Sequence, residues 1–126
     1  MKLTMKEKGF KTNTEFGELE ISGNEEFGFR PYQLMTASIA GCSGGVLRTI
    51  LKKKKLAVED ISIQAEVTRN EEEANRIEEI AIHYVIKGDN LEEDKISKAI
   101  QLVKKNCSMA RSVEGSITIT ETFELV

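Results

Sequence analysis

The sequence predicts an α+β fold, and three observations carry that expectation. Residues 1–30 alternate polar and apolar side chains between glycines at positions 9, 17, 23 and 28. One long apolar stretch then runs from Leu34 to Leu51. Beyond it, two alternating segments, a segment of helical period and a last alternating segment follow in turn. Period two marks half-buried strands and period 3.6 marks helices, so runs of both kinds in one small chain imply sheets packed on helices.

Taken in order, residues 1–30 should form short antiparallel strands separated by turns, because their alternation is interrupted every few residues by a glycine. At Pro31 the pattern changes. Proline suits a first helical turn, and Leu34, Met35, Ile39, Val46, Leu47, Ile50 and Leu51 cover nearly every side of a helix expected to end near Lys54. At 1.5 Å per residue such a helix is ~36 Å long, the diameter of a small domain. Arg48 within it would cost roughly 3 kcal/mol at a bilayer centre, which points to a core helix and away from a membrane span. A helix apolar all round needs cover on both sides, and a second subunit is the natural candidate for the far side.

Residues 59–68 place Ile61, Ile63, Ala65 and Val67 on one face, and Ile80, Ile82, Tyr84 and Ile86 share a face in the segment that returns from the polar turn 70–75. Together they read as a hairpin. Ile96, Ala99, Ile100 and Val103 recur at helical spacing behind Asp89 and Asn90 as candidate caps, with Glu92, Glu93 and Asp94 near the positive end of the dipole. Ile117, Ile119, Phe123 and Leu125 alternate with Thr118, Thr120, Thr122 and Glu124 as a last strand.

With 126 residues and no linker-like composition, the chain reads as a single domain over 1–126. A net charge of -3 gives no electrostatic reason to bind nucleic acid. The polar start Met1-Lys2-Leu3-Thr4 does not resemble a secretory signal, so a cytoplasmic location is expected, where two cysteines would be inert thiols or a redox couple.

Cys42 lies in Ala40-Gly41-Cys42-Ser43-Gly44-Gly45. Glycine in a helix interior costs about 1 kcal/mol relative to alanine, so three of them imply close approach of another backbone. The residues themselves leave two readings open: a small side chain at a tight helix crossing, or a thiol placed where a substrate approaches. Mid-helix placement denies Cys42 the helix N-terminus that most simply lowers a thiol pKa. Cys107 follows four residues after Val103 on the same helical face, and a Cys42–Cys107 crosslink would close a loop of about 65 residues. His83 is the only histidine, and without paired spacing it reads as a surface strand residue, with no metal site expected. The run Lys52–Lys55 reads as hydrated cations at the negative end of the long helix.

The segment Arg30-Pro31-Tyr32-Gln33-Leu34-Met35-Thr36-Ala37-Ser38-Ile39-Ala40-Gly41-Cys42, with Asn106-Cys107-Ser108 further on, resembles the OsmC/Ohr family of organic hydroperoxide reductases. The resemblance implies an intertwined homodimer in which antiparallel sheets wrap two long central helices per subunit. It implies Cys42 as the peroxidatic thiol, Cys107 as the resolving thiol, an organic hydroperoxide as substrate and an external dithiol as reductant, with no metal or haem cofactor. In the family's peroxidases a glutamate follows the helix-starting proline, and an arginine from the N-terminal strands holds the thiolate. Here Tyr32 stands at the glutamate position, no arginine precedes Arg30, and Ser108 stands where many relatives have proline. Those departures resemble an OsmC-like branch, with Arg30 or Arg111 as the substitute cation. A second reading is a non-catalytic dimeric module that binds an apolar small molecule at the subunit interface; a third is a thiol-disulfide exchange partner of other proteins.

Overall fold

Three short strands begin the chain: β1 (Thr4–Lys6), β2 (Gly9–Asn13) and β3 (Glu18–Ile21). They pair as an antiparallel meander in the order β1-β2-β3, as the interrupted alternation predicts. Few apolar side chains are buried here, and polar ones are tied down instead. The buried Thr12 hydroxyl donates to the Lys2 carbonyl at 2.8 Å and the buried Ser22 hydroxyl to the Lys8 carbonyl at 2.7 Å. Lys6 and Glu20 form an ion pair from β1 to β3. At Gly28 an added Cβ would strike the Glu20 carbonyl and Ser22 amide, so a side chain there would push the chain off β3.

Helix α1 (Pro31–Lys53) follows, with Pro31 in its first turn and the Arg30 carbonyl accepting the amides of Gln33 and Leu34 at 3.1 and 3.0 Å. The computed structural model describes residues 1–126 and divides them into two compact units, Met1–Ala37 and Ser38–Val126, the division falling within α1.

In the second unit β4 (Val58–Asn70) and β5 (Arg76–Gly88) form the expected antiparallel hairpin, with Ile61, Ile63, Ala65 and Val67 opposite Ile86, Tyr84, Ile82 and Ile80. Its turn is a single 3-10 turn, Glu71–Glu73, followed by Ala74 and Asn75 with φ of 57° and 58°. Helix α2 (Glu93–Asn106) buries Ile96, Ala99, Ile100 and Val103, the four positions its periodicity singles out. A five-residue helix, α3 (Ser108–Ser112), follows at once, and β6 (Thr118–Leu125) completes the sheet β4-β5-β6. The core of this unit joins Ile39, Leu47 and Leu51 of α1 to Ile80, Ile82, Tyr84 and Ile86 of β5 and to α2, every one of those seven side chains at most 1% exposed. Burying a side chain such as Leu or Ile is worth about 1.5–3 kcal/mol, so this cluster carries much of the unit's stability.

Two expectations are corrected. The sheets are not all antiparallel: β6 pairs parallel to β5, because α2 and α3 carry the chain back before it re-enters the sheet. Asp89 and Asn90 do not cap α2. They lie in the turn before it, Asn90 at φ 54°, and the cap position belongs to Glu92, whose carbonyl accepts the amides of Lys95 and Ile96 at 3.1 Å. No backbone of the chain itself meets the α1 glycines: at Gly44 the space for a Cβ is taken by the Ile63 side chain of β4, while Gly41 and Gly45 face open space. Helix α1 is not covered all round within the chain. By length and composition it could cross a membrane, yet its Ile39, Ser43, Leu47 and Leu51 side pack into the core, while Gly41, Gly45, Arg48, Thr49 and Lys52 are exposed.

Candidate thiol site

Cys107 sits at a junction. Its amide donates to the Val103 carbonyl at 2.8 Å, closing α2, while its sulfur accepts the Ala110 amide at 3.4 Å as the N-terminal cap of α3. One residue thus ends a helix and starts the next, and its side chain is fully buried. Helix α1 presents two neighbouring side chains to this junction. The Ser43 hydroxyl donates to the Cys107 sulfur at 3.4 Å, and the Cys42 sulfur lies 3.8 Å from the Ser108 hydroxyl. Both thiols are free.

The sequence argument that Cys42 lacks a helix N-terminus is overturned by tertiary structure. The Met109 amide is the largest influence holding the Cys42 thiol below its ordinary pKa, followed by the Cys107 thiol, with the Ser108 hydroxyl and amide adding to them against the opposing effect of burial. A sulfur placed mid-helix has no free amides of its own helix to meet, but the start of α3 supplies them from Ser108 and Met109. Hydrogen bonds to the anionic form do here what a cation would otherwise do. The two sulfurs therefore interact, and they differ in access: Cys42 is part-exposed and Cys107 is not. Cys42 also lines an open groove of about 490 Å³ with Gly45, Val46, Thr49, Ile50, Lys53 and Asn106.

Behind the sulfurs lies a polar cluster that the sequence reading missed. Tyr84, fully buried on β5, donates its hydroxyl to Glu121 of β6 at 2.7 Å, and the Ser43 side chain lies within hydrogen-bonding reach of it. Burial, with the Glu121 carboxylate beside it, raises the Tyr84 pKa. Burial likewise raises that of Glu121, opposed by the Tyr84 hydrogen bond and by the Lys104 ammonium, which itself donates to the Ile119 carbonyl at 3.1 Å. The signal was available: in the alternation Ile117, Ile119, Glu121, Phe123, Leu125, a carboxylate occupies an inward slot, directly across the ladder from Ile82.

The remaining candidates have partners of their own. The Arg30 guanidinium stacks on the Tyr32 ring at 4.8 Å from its centroid. Arg111 pairs with Glu114 at 3.1 Å. His83 is on the outward face of β5, as expected, with its ring nitrogens 2.7 Å from the Thr122 hydroxyl and 3.2 Å from Glu124. No three His, Cys, Asp or Glu side chains converge as a metal site would require.

Two interacting thiols, one on a long helix and one at the junction of two others, set in an α+β frame, define a small protein of the cysteine-pair class. The chain belongs to the OsmC family: the family model described as OsmC-like protein matches residues 22–122. Among curated proteins it is similar to Protein YhfA of Escherichia coli strain K12, 28% identical over 97 residues that cover 76% of this chain and 72% of that protein. A hypothetical protein from Aquifex aeolicus VF5, known as a crystal structure, is 32% identical, with a TM-score of 0.88 over 99% of this chain and 93% of that one. An organic hydroperoxide resistance protein from Elizabethkingia anophelis shares the fold at a TM-score of 0.80 and 18% identity, over 99% of this chain and 94% of its own.

Proposed function

We propose that the protein is a thiol-dependent reductase of organic hydroperoxides. The observation that carries the reading is the Cys42 sulfur, part-exposed, held toward its thiolate by the amide of Met109 and adjoining a second, buried thiol. The Cys42 thiolate attacks the terminal oxygen of the hydroperoxide; the O–O bond breaks, an alcohol leaves after taking a proton, and a sulfenic acid remains. The Cys107 sulfur then displaces that hydroxyl as water and forms the Cys42–Cys107 disulfide, which an external dithiol reduces by exchange. A redox or hydroperoxide-resistance role is consistent with the OsmC family, and the Elizabethkingia relative carries that description.

The same reading makes residues 1–126 one functional domain, places the protein in the reducing cytoplasm, and uses a homodimer to cover the exposed Gly41, Gly45 and Thr49 face of α1. Intact mass before and after one equivalent of tert-butyl hydroperoxide tests the cycle. The expected product has lost two hydrogens, and Cys42→Ser abolishes the change; an unaltered mass in the native protein overturns the reading. A second reading, binding of an apolar molecule without turnover, is favoured by the groove beside Cys42, whose volume lies in the ~300–1,000 Å³ range of small-molecule sites. A copurifying ligand together with an inert Cys42 would select it.

A further inference from the structure

We propose that Ser43, Tyr84 and Glu121 form a buried path that takes the proton from Cys107, with Glu121 as the acceptor, so that Cys107 attacks Cys42 as thiolate; this rests on the thiol cycle proposed above. The geometry is a chain of contacts through the second unit. The Cys107 sulfur is 3.4 Å from the Ser43 hydroxyl, Ser43 lies within hydrogen-bonding reach of Tyr84, and the Tyr84 hydroxyl is 2.7 Å from Glu121. Ser43, Tyr84 and Cys107 are all at most 1% exposed, so no bulk water serves the resolving sulfur. Glu121 is half-buried on the inner face of β6, at the one end of the chain of contacts where solvent is near.

Such an arrangement has no packing rationale. Apolar side chains fill the neighbouring inward positions Ile119 and Phe123 of β6, and a carboxylate between them carries a desolvation cost that a leucine would not. The cluster is also fully satisfied, with no buried side-chain nitrogen or oxygen left unpartnered, as a working polar network requires.

The step balances. The Ser43 hydroxyl, which donates to the sulfur at rest, first turns to Tyr84 Oη; the Cys107 thiol proton then passes to Ser43 Oγ, the Ser43 proton to Tyr84 Oη and the Tyr84 proton to Glu121 Oε2, leaving a thiolate and a carboxylic acid. The Ser43 hydroxyl, a rotor, then points at the sulfur, which also accepts the Ala110 amide at 3.4 Å. The thiolate attacks Cys42 Sγ of the sulfenic acid, the S–S bond forms and the S–O bond breaks. The departing hydroxide takes a proton from solvent, and Glu121 later returns its own. The two sulfurs are oxidised together and the hydroperoxide is the electron acceptor.

The groups facing this path are few: Cys42 from α1 beside Cys107, and Lys104 from α2 beside Glu121. Burial sets Glu121 above an ordinary carboxylate even with Lys104 opposing, which makes it a stronger proton acceptor than a surface glutamate.

The test separates the two steps under two oxidants, tert-butyl hydroperoxide and the thiol oxidant diamide, following Cys42 thiol loss and disulfide formation by quenched mass analysis across pH. Tyr84→Phe and Glu121→Gln should slow disulfide formation at pH 7 by about 10²-fold, the low end for general-base assistance, and leave it rising tenfold per pH unit. The native protein should instead level off once Glu121 is ionised. Ser43→Ala, a smaller change, should give the same profile if either of the others fails to fold. Ile82→Val, beside Glu121 across the ladder, should lower thermal stability without moving the pH profile. Native rates and an unchanged pH profile in the path variants overturn the proposal. If the hydroperoxide leaves Cys42 untouched while diamide closes the disulfide with a path-dependent profile, the peroxidase reading fails and the proton path stands.

Discussion

At Cys42 the decisive influence is distant in sequence and short in reach. The Met109 and Ser108 amides lower its pKa, while burial raises it by less. Alkylation of the native thiol should therefore reach half its limiting rate at lower pH than a free cysteine does. Ser108→Ala should move that midpoint up without restoring the free value, because the Met109 amide remains; an unperturbed midpoint in the native protein would contradict the geometry. Glu121 yields a second prediction. Its folded pKa is raised, so the folded state holds the proton more tightly than the unfolded chain does. The resulting contribution to stability is fully present below the ordinary carboxylate value and is lost as pH rises through the raised one. Denaturation midpoints measured across that range should fall less steeply for Glu121→Gln than for the native protein. Both residues mark the limit of reading a sequence. Cys42 was legible as a candidate from its glycine-flanked place in a helix, but what activates it comes from another element, and no periodicity carries that. Tyr84 and Glu121 each sit in an otherwise apolar alternation, and that is the one trace of the cluster the sequence carries.

Among the elements, those with a sustained pattern were legible and those without one were not. Helix α1 begins at Pro31 and ends at Lys53, one residue short of expectation, and α2 buries the four residues its spacing selects. Helix α3 has only five residues, too few to show a period, and it went unread although it supplies the groups that act on Cys42. The direction of β6 was equally silent, since alternation fixes a strand's faces and not its polarity. The β4–β5 turn offers a test at this scale. Ala74 holds φ 57°, a left-handed conformation that costs a residue with a Cβ about 1–2 kcal/mol and glycine little. Ala74→Gly should raise unfolding stability by roughly 0.5 kcal/mol after the entropy of the more flexible unfolded chain is deducted, read as a shift in denaturant midpoint.

For the whole molecule the question is what covers α1. Val46 and Ile50 are half-buried beside the exposed Gly41, Gly45 and Thr49, so the chain by itself leaves an apolar and small-residue stripe in water. If a homodimer covers that stripe, Val46→Glu should shift sedimentation toward the monomer, whereas Lys98→Glu on the exposed side of α2 should not; a native protein that is monomeric at all concentrations would remove the dimer from the account. Sequence periodicity saw this problem in advance, because a helix apolar on every side cannot be satisfied by one sheet.

The junction at Cys107 has a mechanical meaning. The atom that would join the disulfide is the same atom that receives the Ala110 amide and fastens the start of α3. A sulfur in a disulfide carries less negative charge than the thiolate that attacks, so closing the bond weakens the hold on that amide at the turn that stands over Cys42.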